Sequence, residues 1–256
     1  MEDRHLLYRV DEGVGYITIN REPQRNAITP EALALFHEYL DEAEKDEKVR
    51  ALLVTGAGEK AFCTGAQLSG AVTTGGKDIF ASYAGLLNRI VSFPKPTVAR
   101  VRGFCLAGGM GFMLACDIVI ASDDSKFGTP EVNVGLWPMM IGALIFRNVL
   151  QKKAMEMILL GERLTAQEAL TMGLITRVVP SGDLDGEVSK VLAILTSKSP
   201  IGMRIGKQAF YAMANLPLQE ALNFLSGKIK EVAGTEDAKE GITAFMEKRQ
   251  PNFTGK

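Results

Sequence analysis

The chain has 256 residues, 46% hydrophobic and 23% charged, enough to bury a sizeable core without disulfide or metal staples. Its 29 Lys and Arg offset 30 Asp and Glu to a formal net charge of -1. No bulk field therefore draws it to nucleic acid or an anionic membrane, and any polyanionic ligand must be met by local groups.

Histidine and cysteine narrow the chemistry further. His5 and His37 have no partner at metal-ligand spacing, so neither a metal site nor a His-dependent triad is expected. Cys63, Cys105 and Cys116 form an odd set without a C-x-x-C pair, which fits a reducing, cytoplasmic compartment. The charged start MEDRHLLYRVDEG is unlike a secretory signal. The uncharged run from Gly103 to Cys116 is shorter than the ~20 residues of a bilayer span and reads as buried core.

In chain order, Val14 to Asn20 reads as a strand, and Thr29-Pro30 caps a helix that carries Leu33, Phe36, Leu40 and Ala43 to about Lys45. Ala51 to Thr55 reads as a strand buried on both faces. A Gly-rich loop follows, then a helix from about Asp78 to Ser92, stopped by Phe93-Pro94-Lys95-Pro96. TVARV is a strand, Gly103 to Gly109 a loop, and IVIAS a strand. Beyond Pro138 helical periodicity dominates, except at Leu174 to Val179. Two helices are expected between Ser199 and Val232, and another from Ala238 to Lys248. The fold class is α/β, with a body over residues 1–200 and a helical part over 201–256.

Several loops are candidates for chemistry. Gly56, Gly58 and Ala61 form a G-x-G-x-x-A pattern, but the residues after it offer no helix start to hold a pyrophosphate. Gly75 to Lys77 is followed by Asp78 rather than the Ser or Thr of a phosphate loop. AFCTGAQL (61–68) and GFCLAGGMG (103–111) are more telling as a pair. Each follows a buried strand and presents small residues that bare the main chain, and the second opens a helix with unpaired N–H groups. Two such donors converging on one oxygen make an oxyanion hole, whereas either loop alone is equally well a tight packing turn. In Thr129-Pro130-Glu131, Glu131 is either a helix-dipole contact or a base partly desolvated by Phe127, Val132, Val134, Leu136 and Trp137.

These pieces in this order resemble the crotonase superfamily, the enoyl-CoA hydratase/isomerase family. The likeness includes Asn26-Ala27, AFCTGAQL, KPTVARVRGFCLAGG, ACDIVIAS, KFGTPEVNVGL and the closing FMEKRQPNF. It implies a crotonase-like spiral of ββα turns with a C-terminal helical part that assembles homotrimers, commonly paired as dimers of trimers. The N–H groups of Ala66 and Gly108 would hold the thioester oxygen of an acyl-CoA. Ala66, Leu68, Gly109 and Trp137 would lie along its path, and Arg25 and Lys248 would meet the coenzyme A phosphates. Residues 70–89, with Trp137, Met139 and Met140, would line the acyl pocket. Coenzyme A would be part of the substrate, and no separate cofactor, metal, nucleic acid or membrane partner is expected. Asp117 resembles a structural aspartate of the family.

One departure bears on the reaction. Hydratases of the family use two glutamates; the later falls on Glu131, while the earlier position is Gly111. Glycine neither positions water nor handles a proton. The resemblance then points to Δ3,Δ2-enoyl-CoA isomerisation with Glu131 as the acid–base. The alternatives are a hydratase with a second acid, such as Asp78, and a non-catalytic member binding acyl-CoA or RNA.

Overall fold

A computed structural model describes residues 4–66 and 78–256. The chain opens with β1 (Leu6–Asp11) and β2 (Val14–Ile19), an antiparallel hairpin whose turn places Glu12 and Gly13 at φ 47° and 80°. Two consecutive positive φ values match the twist of the flanking strands. There follow α1 (Pro30–Lys45), β3 (Ala51–Gly56), β4 (Ala61–Cys63), α2 (Ile79–Val91), β5 (Thr97–Val101), β6 (Phe104–Leu106) and α3 (Gly108–Leu114). The next turn comprises β7 (Ile118–Ser122), β8 (Lys126–Gly128), α4 (Met139–Asn148) and α5 (Gln151–Leu160). The chain closes with β9 (Leu164–Thr165), α6 (Ala166–Met172), β10 (Arg177–Val179), α7 (Leu184–Thr196), α8 (Pro200–Met213), α9 (Leu218–Ala233) and α10 (Glu236–Met246).

The strands form two sheets. The larger has the order β1-β2-β3-β5-β7-β10, parallel after the hairpin, and the smaller has the order β4-β6-β8-β9. Successive turns therefore repeat one motif: a strand in the large sheet, a strand in the small sheet, then helix. This is the expected ββα spiral.

Local chemistry starts the helices. Thr29 Oγ1 accepts from the Ala32 N–H at 3.1 Å ahead of Pro30, and α1 buries Leu33, Phe36, Leu40 and Ala43. Asp78 caps α2, accepting from the Phe80 and Ala81 N–H groups at 3.0 Å each. The large sheet is buried on both faces. Leu52 and Val54 join the main core, while Ala51, Leu53, Val98 and Ile120 pack against Leu184, Val188, Val191 and Leu192 of α7. Cys63, Cys105 and Cys116 are buried and free.

The differences from the sequence reading are local. The stretch read as loop from Gly103 contains β6, and AFCTGAQL contains β4; strands of three residues are too short for an alternating pattern to register. The strand expected from Leu174 contracts to Arg177–Val179. Thr129 opens a short 3₁₀ turn, Pro130–Val134, but does not cap it, and its hydroxyl is buried without a partner among the described residues.

Asp117 ties the C-terminal helices to the large sheet. Its Oδ2 accepts from the Thr97 N–H (2.8 Å), the Thr97 hydroxyl (2.9 Å) and Lys207 Nζ (2.6 Å), and Oδ1 accepts from the Tyr211 hydroxyl (3.1 Å). Removing one member of such a mostly buried set strands the other charge. Asp117→Ala is expected to lower unfolding free energy by about 3 kcal/mol in urea titrations. A loss below about 1 kcal/mol would show that solvent replaces the carboxylate there.

Candidate functional site

The site is assembled where the small sheet meets α3. Beyond β4 the chain turns through Thr64, Gly65 and Ala66. The Thr64 hydroxyl donates to the Arg25 carbonyl at 3.2 Å, and the Ile28 N–H donates to the Gly65 carbonyl at 2.8 Å. This last bond belongs to a parallel bridge between Ile28 and Ala66. In parallel pairing the residue opposite the bonded one turns its own N–H away from that neighbour, which leaves the Ala66 N–H facing the other side.

Asn26 locks the adjoining loop. It is fully buried, with Nδ2 donating to the carbonyls of Ala57 (2.9 Å) and Ala61 (2.6 Å) and Oδ1 accepting from the Arg21 N–H (2.9 Å). Gly56 is required there, since a Cβ would lie 2.6 Å from Asn26 Nδ2 and 2.7 Å from the Ala61 carbonyl.

The second loop leaves β6 through Ala107, at φ 49°, whose N–H donates to the Gly128 carbonyl at 2.9 Å. Gly108 opens α3, so its N–H is among the first-turn donors that a helix cannot satisfy internally. The two loops are in contact. A Cβ on Gly65 (φ 95°) would lie 2.9 Å from Ala107 Cβ and 3.2 Å from the Gly108 nitrogen. Gly109 packs directly on the Cys63 carbonyl, where a Cβ does not fit. Gly65 is thus brought against Gly108, with Ala66 next along the chain.

Glu131 lies in the 3₁₀ turn after β8, with Oε2 buried and without a hydrogen-bond partner among the described residues. Burial pushes its carboxyl above the usual carboxylate range. The apolar shell differs from the expected one: Phe127 is fully buried, but Val134, Leu136 and Trp137 face outward in the single chain.

Position 111 faces a residue the sequence did not single out. A Cβ on Gly111 would collide with the Tyr83 hydroxyl and lie 2.8 Å from Ile141 Cγ2 and 3.1 Å from Leu87 Cδ2. Tyr83, on α2, donates its hydroxyl to the Gly108 carbonyl at 2.5 Å, and its ring meets Phe112 edge-on. Burial raises its phenol well above the ordinary range, and the charge of Glu131 adds to the shift. It falls in the 70–89 stretch expected to line the acyl pocket, but nothing in the sequence of α2 told which loop it meets.

Other expected residues are more dispersed. Arg25, exposed and at φ 51°, and Arg163 both lie near the Phe104 ring, at 6.0 and 5.1 Å from its centroid. Trp137 and Met139 are exposed, and Met140 packs against the main core. Lys248 is in the turn after α10, whose principal packing partners are α8 and α9. Leu68 and residues 70–77 of the expected acyl pocket lie outside the described residues. Asp78 is committed to capping α2. Gly56 and Gly58 lead into β4, so no helix follows the dinucleotide-like pattern.

Residues 9–256 match the sequence profile described as Enoyl-CoA hydratase/isomerase. The chain belongs to that family. Its members act on acyl-CoA thioesters, and this chain is an enzyme of that kind. The short-chain-enoyl-CoA hydratase of Clostridium acetobutylicum is 33% identical over 254 residues, covering 98% of this chain and 97% of the relative. The crystal structure of human enoyl-CoA hydratase domain-containing protein 3 superposes with a TM-score of 0.93 at 30% identity, covering 98% of this chain and all of that one. An enoyl-CoA hydratase structure from Mycobacterium smegmatis gives 0.92 at 32% identity, covering 97% and 98%. The fold is crotonase-like.

Proposed function

We propose that this family member shifts a carbon–carbon double bond of an enoyl-CoA from C3 to C2, with Glu131 as its sole acid–base. The supporting observation is at position 111, where Tyr83, Ile141 and Leu87 occupy the space a second glutamate side chain would need. The Ala66 and Gly108 N–H groups hold the thioester oxygen. Glu131 removes a C2 proton, the electron pair passes into the enolate, and the same carboxyl returns the proton at C4 as the C3–C4 double bond becomes C2–C3. This chemistry calls on no group beyond the protein and the acyl-CoA.

The names of the relatives favour hydration instead, which would need a second group to handle water and its proton. A 3-enoyl-CoA and a 2-enoyl-CoA offered side by side separate the two. Isomerisation of the first with slow hydration of the second is expected; rapid hydration without isomerisation overturns the reading.

The raised Glu131 pKa has a definite sign. The base works ionised, so kcat/KM for a 3-enoyl-CoA should fall with decreasing pH along a limb centred above the usual carboxylate range. A kcat/KM that stays flat as the pH falls through the acid range would show that no carboxylate acts as the base.

Arg25 and Lys248 are the first cations to test for the coenzyme A phosphates. Lys248 meets such a ligand most readily across a subunit boundary, in a homotrimer or dimer of trimers. The apolar surface of α8 to α10, including Phe210, Leu218, Ile229, Ile242 and an 85% exposed Phe245, supports that assembly. Light scattering of a monomer would remove it. No helix among the described residues is long and apolar enough to cross a membrane. The free, buried cysteines support a cytoplasmic setting.

A further inference from the structure

The first turn of α3 has little of its own to hold it. Ala107, Gly108 and Gly109 carry no polar side chain, two of the three are glycines, and Ala107 sits at φ 49°, where a side chain is disfavoured. A Gly108 N–H expected to hold an oxygen has to keep its direction while the ligand changes, so the turn needs a tether from outside. Tyr83 supplies one. Its hydroxyl reaches from α2 to the Gly108 carbonyl at 2.5 Å. Its ring lies edge-on to Phe112, with centroids 5.4 Å apart and planes at 86°, and Phe112 in turn stacks on Phe36 of α1 at 5.4 Å. The hydroxyl is therefore aimed by the packed core.

We propose that Tyr83 is a positioning residue, whose hydroxyl tethers the Gly108 carbonyl so that the neighbouring N–H keeps its aim beside the Gly65–Ala66 loop. The same phenol fills the place next to Gly111 and keeps a second acid out. It remains protonated throughout, since burial disfavours the phenolate. This role rests on the enolate reading above and adds to it a residue that touches no reacting atom.

Tyr83→Phe keeps the ring on Phe112 and removes only the tether. The probe is a 3-ketoacyl-CoA, whose enolate absorbs in the near ultraviolet; the absorbance of the bound ligand reports how well the N–H pair holds the oxygen, without turnover. In the variant the enolate band is expected to fall about threefold or more, and kcat for a 3-enoyl-CoA about tenfold, with KM within roughly twofold of wild type. An unchanged band overturns the proposal, and so does an effect confined to KM. Wild-type protein that gives the band but does not isomerise removes the isomerase reading and leaves the Tyr83 test standing. Wild-type protein without the band removes both.

Discussion

Glu131→Gln is expected to fold normally and to lose about 10³-fold in kcat, within the range that a positioned general base contributes. The glutamine keeps the size of the side chain but takes up no proton from C2 and returns none to C4. The loss should appear in kcat rather than KM, because the exchange of proton occurs only on the way to the enolate. Stability supplies an independent check. Glu131 has a raised pKa in the folded chain, so the folded form binds its proton more tightly than the unfolded chain does. Stability then declines as pH rises through that raised value, and the ionised wild type at neutral pH carries the cost of a buried charge. The variant has no such charge and should be at least as stable at neutral pH. A variant with full activity would exclude Glu131 as the base.

Gly65→Ala should be nearly as damaging to turnover, for a reason that involves no titrating group. At φ 95° an L side chain is strained, and the added Cβ would come within 2.9 Å of Ala107 Cβ and 3.2 Å of the Gly108 nitrogen. The backbone must give way, and what moves is the spacing between the Ala66 and Gly108 donors. Loss of one such donor typically lowers kcat by about 10²-fold or more, and a separated pair approaches that limit. The strain itself costs about 1–2 kcal/mol of stability. Steady-state kinetics with a denaturant titration would show both effects; unchanged kcat would mean that the donors are not used as a pair.

Legibility in the sequence followed the range of the interactions. Local devices were plain: Thr29-Pro30 for α1, Asp78 for α2, apolar runs for β3 and β7, and the β-branched TVARV for β5. The three-residue strands β4, β6 and β8 were not, because what makes them strands is pairing across gaps, as between Ala61 and Phe104 or Phe104 and Lys126. The two Gly-rich loops and Glu131 stood out by residue type, although the surroundings that desolvate Glu131 are not the run of apolar neighbours in sequence. Tyr83 was legible only as one residue of the 70–89 stretch assigned to the acyl pocket, with no role of its own. Its importance comes from α2 crossing α3, a contact between residues 83 and 108 that no local pattern encodes.

The buried cysteines give the chain an internal reporter of its own breathing. Cys63 lies against Gly109, the second residue of α3, and burial pushes its thiol up to about 12. Alkylating reagents attack the thiolate, so the closed chain is inert to them at neutral pH. Reaction at Cys63 must then wait for the small sheet and α3 to part, and its rate measures how often that wall opens relative to the rest of the molecule.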